Sequence, residues 1–329
     1  MASRQATHAG SWYSSDGATL DRELQGWLDR VPGTVDEVVP AGGTCAVPVG
    51  GARAIIAPHA GYSYSGPNAA YGYRCVDAAR VRRVFLLGPS HHVYLEDCAL
   101  SECAEYETPL GSIAVDREMV GELRSKGRWQ TMDTEMDEDE HSLEMHLPYI
   151  CKTFEGRLGE IALVPILVGA LSFRSEAYYG GLLAPYLADA ENLFVVSSDF
   201  CHWGSRFRYT LYRGSDAAPA VHVGARAPPP PTGVPIWESI QRLDYAGMEA
   251  IARLDHAAFK RYLDETRNTI CGRHPIGVLL AATNALYPPG ARGPGGPALR
   301  FVKYDQSSKA RTAADSSVSY ASAYLRLPA

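Results

Sequence analysis

Three hydrophobic runs in this chain each end directly in metal-ligand side chains. They are Arg53-Ala-Ile-Ile-Ala-Pro-His59, Val84-Phe-Leu-Leu-Gly-Pro-Ser-His91-His92 and Leu193-Phe-Val-Val-Ser-Ser-Asp199-Phe-Cys-His202. Leu and β-branched residues without polar alternation mark strands covered on both faces. In open α/β sheets, ligands bind in the crevice outside the carboxyl ends of the strands. Three strand ends bearing imidazole and carboxylate therefore predict one convergent site.

The rest of the chain supports that frame. Strands are predicted at 53–57, 81–87, 161–168, 193–197 and 301–304, with an alternating run at 318–325. Helical patterns fall at 68–75, 119–125, 142–154, 174–187, 236–254, 256–266 and 276–286. Strand–helix alternation predicts an α/β fold, a mostly parallel central sheet with helices on both faces. Residues 1–329 are expected to form a single domain, a length that buries a sizeable core. Three stretches read as surface insertions too rich in Gly and Pro to pack: 33–51, 214–235 and 288–297. The second contains Pro228-Pro-Pro-Pro231, which reads as a plain loop or as a short polyproline II ligand.

Composition narrows the function classes. A net charge of −6 without any Lys/Arg run argues against nucleic-acid binding. No apolar stretch approaches membrane-spanning length, so no transmembrane helix is expected. The first residues, Met-Ala-Ser-Arg-Gln-Ala-Thr-His, lack the apolar core of a secretory signal. Seven cysteines without a CxxC pair fit reduced thiols in a cytoplasmic protein.

A fourth chemical island reads Asn268-Thr-Ile-Cys271-Gly-Arg-His274-Pro, just before the apolar 276–286 run. Cys271 is expected at a helix start, where the dipole, Arg273 and His274 would favour thiolate. His91 and His92 are adjacent, so in extended backbone they point opposite ways, and one ligates while the other supports or faces solvent. His141 and Glu144 share a helix face at i, i+3 and read as pocket-orienting groups or as a structural pair. Asp137–Glu140 reads most simply as a charged helix start. Trp12 and Tyr13 read as an aromatic rim or as core. No G-x-S-x-G elbow occurs, so a hydrolase built on Asp199 and His202 lacks support.

Taken in order, these motifs resemble the Memo family, whose fold is similar to that of the class III extradiol dioxygenases. The matching segments are His8-Ala-Gly-Ser-Trp-Tyr13, Pro58-His-Ala-Gly-Tyr62, Gly88-Pro-Ser-His-His92, Asp137 to Pro148, Ser198 to Gly204, Cys271-Gly-Arg-His-Pro275 and Asp315 to Tyr320. The resemblance covers nearly the whole chain outside the three insertions. It implies His59, His91 and Cys271 as metal ligands and Asp199 and His202 as further pocket residues; their three-residue spacing on one loop leads us to expect both to act beside the metal, with His202 shuttling protons. His92, His141 and Glu144 are expected to surround these groups. It also implies one iron(II) or copper ion. The related dioxygenases hold Fe(II) with two His and a carboxylate, and a Cys in place of that carboxylate adds affinity for Cu(I). The exchange argues against catechol ring cleavage and leaves other metal-dependent oxidoreductase chemistry open. The resemblance further implies roles in iron and redox homeostasis and in signalling to the cytoskeleton, in the cytoplasm and nucleus. The alternative is a non-catalytic adaptor that takes phosphotyrosine-type peptides or cytoskeleton-linked proteins in a vestigial cleft.

Overall fold

A computed structural model describes residues 2–215, 218–224, 233–289, 295–312 and 314–328. Among them, nine strands form the central sheet: β1 (Ala52–Ala57), β2 (Arg83–Pro89), β3 (Cys98–Ser101), β4 (Trp129–Met132), β5 (Ala162–Val168), β6 (Asn192–Ser197), β7 (His202–Trp203), β8 (Ala298–Gln306) and β9 (Ser317–Arg326). Their order is β7-β9-β1-β6-β2-β5-β3-β4, with β8 on β9. The four central strands, β1, β6, β2 and β5, run parallel. The flanks do not follow the expected pattern throughout. β9 is antiparallel to β1, β7 and β8 to β9, and β3 to β5, whereas β4 pairs parallel with β3. The sheet is therefore mixed, parallel only where helical crossovers cover it.

Register levels the carboxyl ends of three strands. Ser197 pairs with Ala57, and Val196 pairs with both Ile56 and Leu87. His59, Asp199 and His91 each lie two residues past the end of β1, β6 and β2. Val84 to Leu87 and Val195 to Val196 are wholly buried, as a sheet with two covered faces requires. The helix Tyr62–Arg74 packs on β8, β9 and β1. Arg273–Leu286 packs on Phe173–Ala188 and on β2 and β6.

Two glycines let elements approach the site closely. A Cβ on Gly272 would lie 2.4 Å from the Ser197 carbonyl and 2.3 Å from Ser198 Cβ, so only glycine brings the 271–273 turn against β6. A Cβ on Gly88 would meet Ser142 Oγ at 2.5 Å, so the His141–Glu144 helix seats on β2 only because that residue is glycine.

Several expectations are corrected. Residues 33–51 are not a bare loop: Thr34–Val38 and Ala41–Ala46 form a hairpin, and Val35, Val39 and Val49 are buried. Within 214–235, Val221–His222 pairs with Leu211–Tyr212, and Val223 joins a small second core around Trp203 and Ile240. Pro228 to Pro231 lie outside the described residues, as do 290–294 of the third insertion. The 142–154 helix is two helices, His141–Glu144 and Leu147–Thr153, because Pro148 has no N–H with which to continue the first. The 68–75 helix begins earlier, at Tyr62, tolerating Pro67 inside it. Among the described residues no helix is long and apolar enough to cross a membrane.

Candidate metal centre

The strand ends bring His59 and His91 together, and the short helix after them adds His141. One ring nitrogen of each lies within 4.8 Å of those of the others, close enough to hold one metal ion. The His59 and His91 rings meet edge to face at 5.2 Å, and His91 stacks on His141 at 4.5 Å. His59 is buried, His141 half-buried and His91 open to solvent.

Hydrogen bonds fix which nitrogen can ligate. The Ser197 hydroxyl donates to the Ser142 carbonyl at 2.8 Å, so its oxygen accepts from His59 Nδ1–H at 2.6 Å. His59 Nε2 is thereby the unprotonated nitrogen, turned toward the Cys271 Sγ at 3.3 Å. His91 Nδ1–H donates to Glu140 Oε1 at 2.9 Å, which frees its Nε2 in the same way. A carboxylate behind a ligating imidazole is the usual support for a bound metal. The donor set therefore fits a divalent transition metal.

The electrostatics agree. Burial, then the neighbouring His91 and His141, push the His59 imidazole well below its usual range. Burial and His91 lower His141 to about 3, against the pull of Glu140. Both rings are neutral near pH 7, the form that binds metal. Burial would raise Glu140, but hydrogen bonds and charge from His91 and His141 bring it to about 2, so it stays an anion.

Cys271 lies next to this group. Its Sγ is 3.3 Å from His59 Nε2 and accepts the Asp199 N–H at 3.2 Å. Burial first, and the Asp199 carboxylate second, push the thiol well above its usual range, opposite to the expected thiolate. The dipole and Arg273 act in the predicted direction but are outweighed by desolvation. Asp199 is buried and accepts the His59 backbone N–H at 2.9 Å, and burial raises its pKa. His202 is half-buried; its Nδ1 faces the Phe200 and Thr269 carbonyls at 2.9 and 3.1 Å, so Nε2 is unprotonated in the neutral ring.

The remaining expected residues divide. His92 is exposed and reaches only the edge of His141, at 6.0 Å. Glu144 does not face the metal group. It accepts from Arg4 at 2.5 Å, His8 Nδ1 at 2.8 Å and Tyr13 at 2.7 Å, clamping the N-terminal segment. That clamp places Trp12 over His141 at 4.4 Å, so Trp12 is rim and Tyr13 is core. Beside the rim a cavity of about 540 Å³ opens between Trp12, Tyr64, Phe207, Arg206 and Ser317. Glu140 and Ser197 escaped the sequence reading, and His141 is closer to the centre than expected. Glu140 sat inside an acidic run that looked like a solvated helix start. Nothing local in the sequence shows that Asp137 and Glu140 are buried.

The geometry thus defines an α/β protein with a three-histidine candidate metal centre at the carboxyl ends of parallel strands. The model of the Memo-like protein family matches residues 4–324. Protein MEMO1 of Homo sapiens is 47% identical over 322 residues, covering 98% of this chain and 97% of that protein. The memo-1 homolog of Caenorhabditis elegans is 43% identical, over 98% of this chain and 82% of its own length. The chain belongs to the Memo family. Among solved structures, uncharacterized protein JW3007 from Escherichia coli K12 aligns with a TM-score of 0.47 and 13% identity, covering 82% of this chain and 99% of that one.

Proposed function

We propose that this Memo-family chain binds one iron(II) or copper ion at His59, His91 and His141, with Cys271 alongside, and serves metal-dependent redox chemistry in the cytoplasm. The supporting observation is the convergence of three ring nitrogens within 4.8 Å, two of them with the opposite nitrogen already engaged. A bound ion of this kind would supply redox capacity toward a small oxidant. The chain's own residues do the rest. Glu140 and Ser197 hold the His91 and His59 rings, Trp12 covers His141, and His202 would take or give a proton at Nε2. Asp199 fixes the turn that carries His59. In this reading the fold is of the class III extradiol dioxygenase kind without its ring-cleaving carboxylate, and the protein acts in iron and redox homeostasis.

One observation favours the adaptor reading, in which the cleft takes phosphotyrosine-type or cytoskeleton-linked partners. The cavity beside Trp12 has aromatic walls, one arginine and several serines, a lining suited to an aromatic ring with an anionic end. Elemental analysis of protein purified without added metal, followed by oxygen consumption, separates the two. Stoichiometric iron or copper with oxygen uptake supports the redox reading. A metal-free protein that consumes no oxygen after loading supports the adaptor.

A further inference from the structure

At the opposite end of β1 from His59 lies a second cavity, of about 580 Å³. Arg53 enters it from the start of β1, and Arg326 from the end of β9, where Arg326 pairs with Ala52. Arg80 enters from the short helix Ala78–Arg80 that precedes β2. Gly50 and Gly51 line it with bare backbone, and Gly51, at φ +79°, leaves the Arg326 stem close against its Cα. Among the described residues the only carboxylate in the lining is Asp77, and its Oδ1 already accepts the Ala79 N–H at 3.2 Å. No described carboxylate forms an ion pair with any of the three arginines. Arg53 Nε is buried without a hydrogen-bond partner.

That arrangement runs against the chain's overall balance of 37 acidic to 31 basic residues. A buried guanidinium N–H left unsatisfied is costly, and native proteins keep few of them. Three planar donors from separate elements match the oxygens of phosphate groups, which arginine binds bidentately. The volume falls in the range of small-ligand sites and exceeds what one phosphate fills.

We propose that Arg53, Arg80 and Arg326 form a binding site for an organic anion bearing two or more phosphate groups, separate from the metal centre. Such an anion reaches the cavity either as a soluble phosphorylated metabolite or as the headgroup of a phosphoinositide.

The test is calorimetry of the full chain with inositol trisphosphate, beside sedimentation with phosphatidylcholine vesicles that carry or lack phosphatidylinositol bisphosphate. The expected result is one-to-one binding of inositol trisphosphate that weakens as salt is added. Arg53→Gln, Arg80→Gln and Arg326→Gln should each weaken it about tenfold, the scale of a lost charge-assisted hydrogen bond. Arg22→Gln, on an exposed helix elsewhere, should leave it unchanged. Vesicle binding that depends on the bisphosphate and on the same arginines assigns the lipid headgroup, and its absence assigns the soluble source. Arg80 is exposed and outside the sheet, so its variant keeps the test valid if Arg53→Gln misfolds, and an unchanged circular dichroism spectrum reports an intact fold. No binding of inositol trisphosphate, or binding indifferent to Arg80→Gln, overturns the site.

Discussion

Glu140 holds His91 at two points: Oε2 accepts the backbone N–H at 2.6 Å, and Oε1 accepts the ring Nδ1–H at 2.9 Å. The same Oε1 lies 3.5 Å from His141 Nδ1. One buried anion therefore orients His91 and lies against a second imidazole of the group. A carboxylate behind an imidazole fixes the ring's tautomer and orientation, which is the support a metal-ligating histidine needs.

Glu140→Gln should keep the fold and lower metal affinity by about 10–100-fold, the usual effect of losing such support. Competition with a chromogenic chelator measures it. Unchanged affinity in a folded variant would show that His91 is not a ligand.

The third ligand is decided by two variants. His141→Ala should sharply reduce Fe(II) binding, since imidazole suits iron. Cys271→Ser should leave Fe(II) affinity within a few-fold and weaken Cu(I), because it removes the soft donor beside His59. The reverse ranking for Fe(II) would return Cys271 to the coordination sphere and move His141 out of it.

The strand ends were legible in the sequence because buried parallel strands are nearly continuous apolar runs, and the register that levels them follows from their parallel pairing. His59 and His91 could be placed for that reason. His141 could not, because its position depends on a close approach to Gly88 that leaves no periodic signal. The thiolate expected at Cys271 rests on a local helix dipole, whereas burial, which depends on what packs over the residue, pushes the thiol up. The 33–51 segment misled in a similar way: its glycines and prolines form a hairpin whose few valines reach the core.

Arg4 is fully buried between Asp137 and Glu144, at 3.2 and 2.5 Å. Arg4→Met should cost about 3–5 kcal/mol, because it strands two buried carboxylates without their cation. Urea unfolding measures this. A loss under about 1 kcal/mol would mean that water reaches the carboxylates and screens them.

His146 adds acid sensitivity independent of the metal. Its ring is fully buried, meets Tyr73 at 2.9 Å through Nδ1, leaves Nε2 unpartnered, and burial lowers its pKa from 6.5 to about 3. The unfolded chain takes up this proton below pH 6.5 and the folded chain does not. Stability is therefore intact above 6.5 and falls as pH drops toward 3, by about 1.4 kcal/mol per pH unit from this group. His146→Asn should flatten the stability–pH curve between pH 6 and 4 by one proton. An unchanged slope would mean that the ring titrates normally in the folded protein.

The final prediction bears on turnover. An iron ion held by three imidazoles would keep further positions for small molecules, and His91 faces solvent. The Fe(II)-loaded protein should bind nitric oxide, read as a new paramagnetic resonance signal. His202→Ala should keep both metal and that signal, since its Nδ1 is spent on the Phe200 and Thr269 carbonyls and the ring stands outside the group of three histidines. It should nevertheless slow metal-dependent oxygen consumption, because the imidazole placed for proton transfer is gone. Loss of metal in His202→Ala would make that ring a ligand. A loaded iron that ignores nitric oxide would be coordinatively closed, and the cleft beside Trp12 would then be a docking site rather than an entrance for an oxidant.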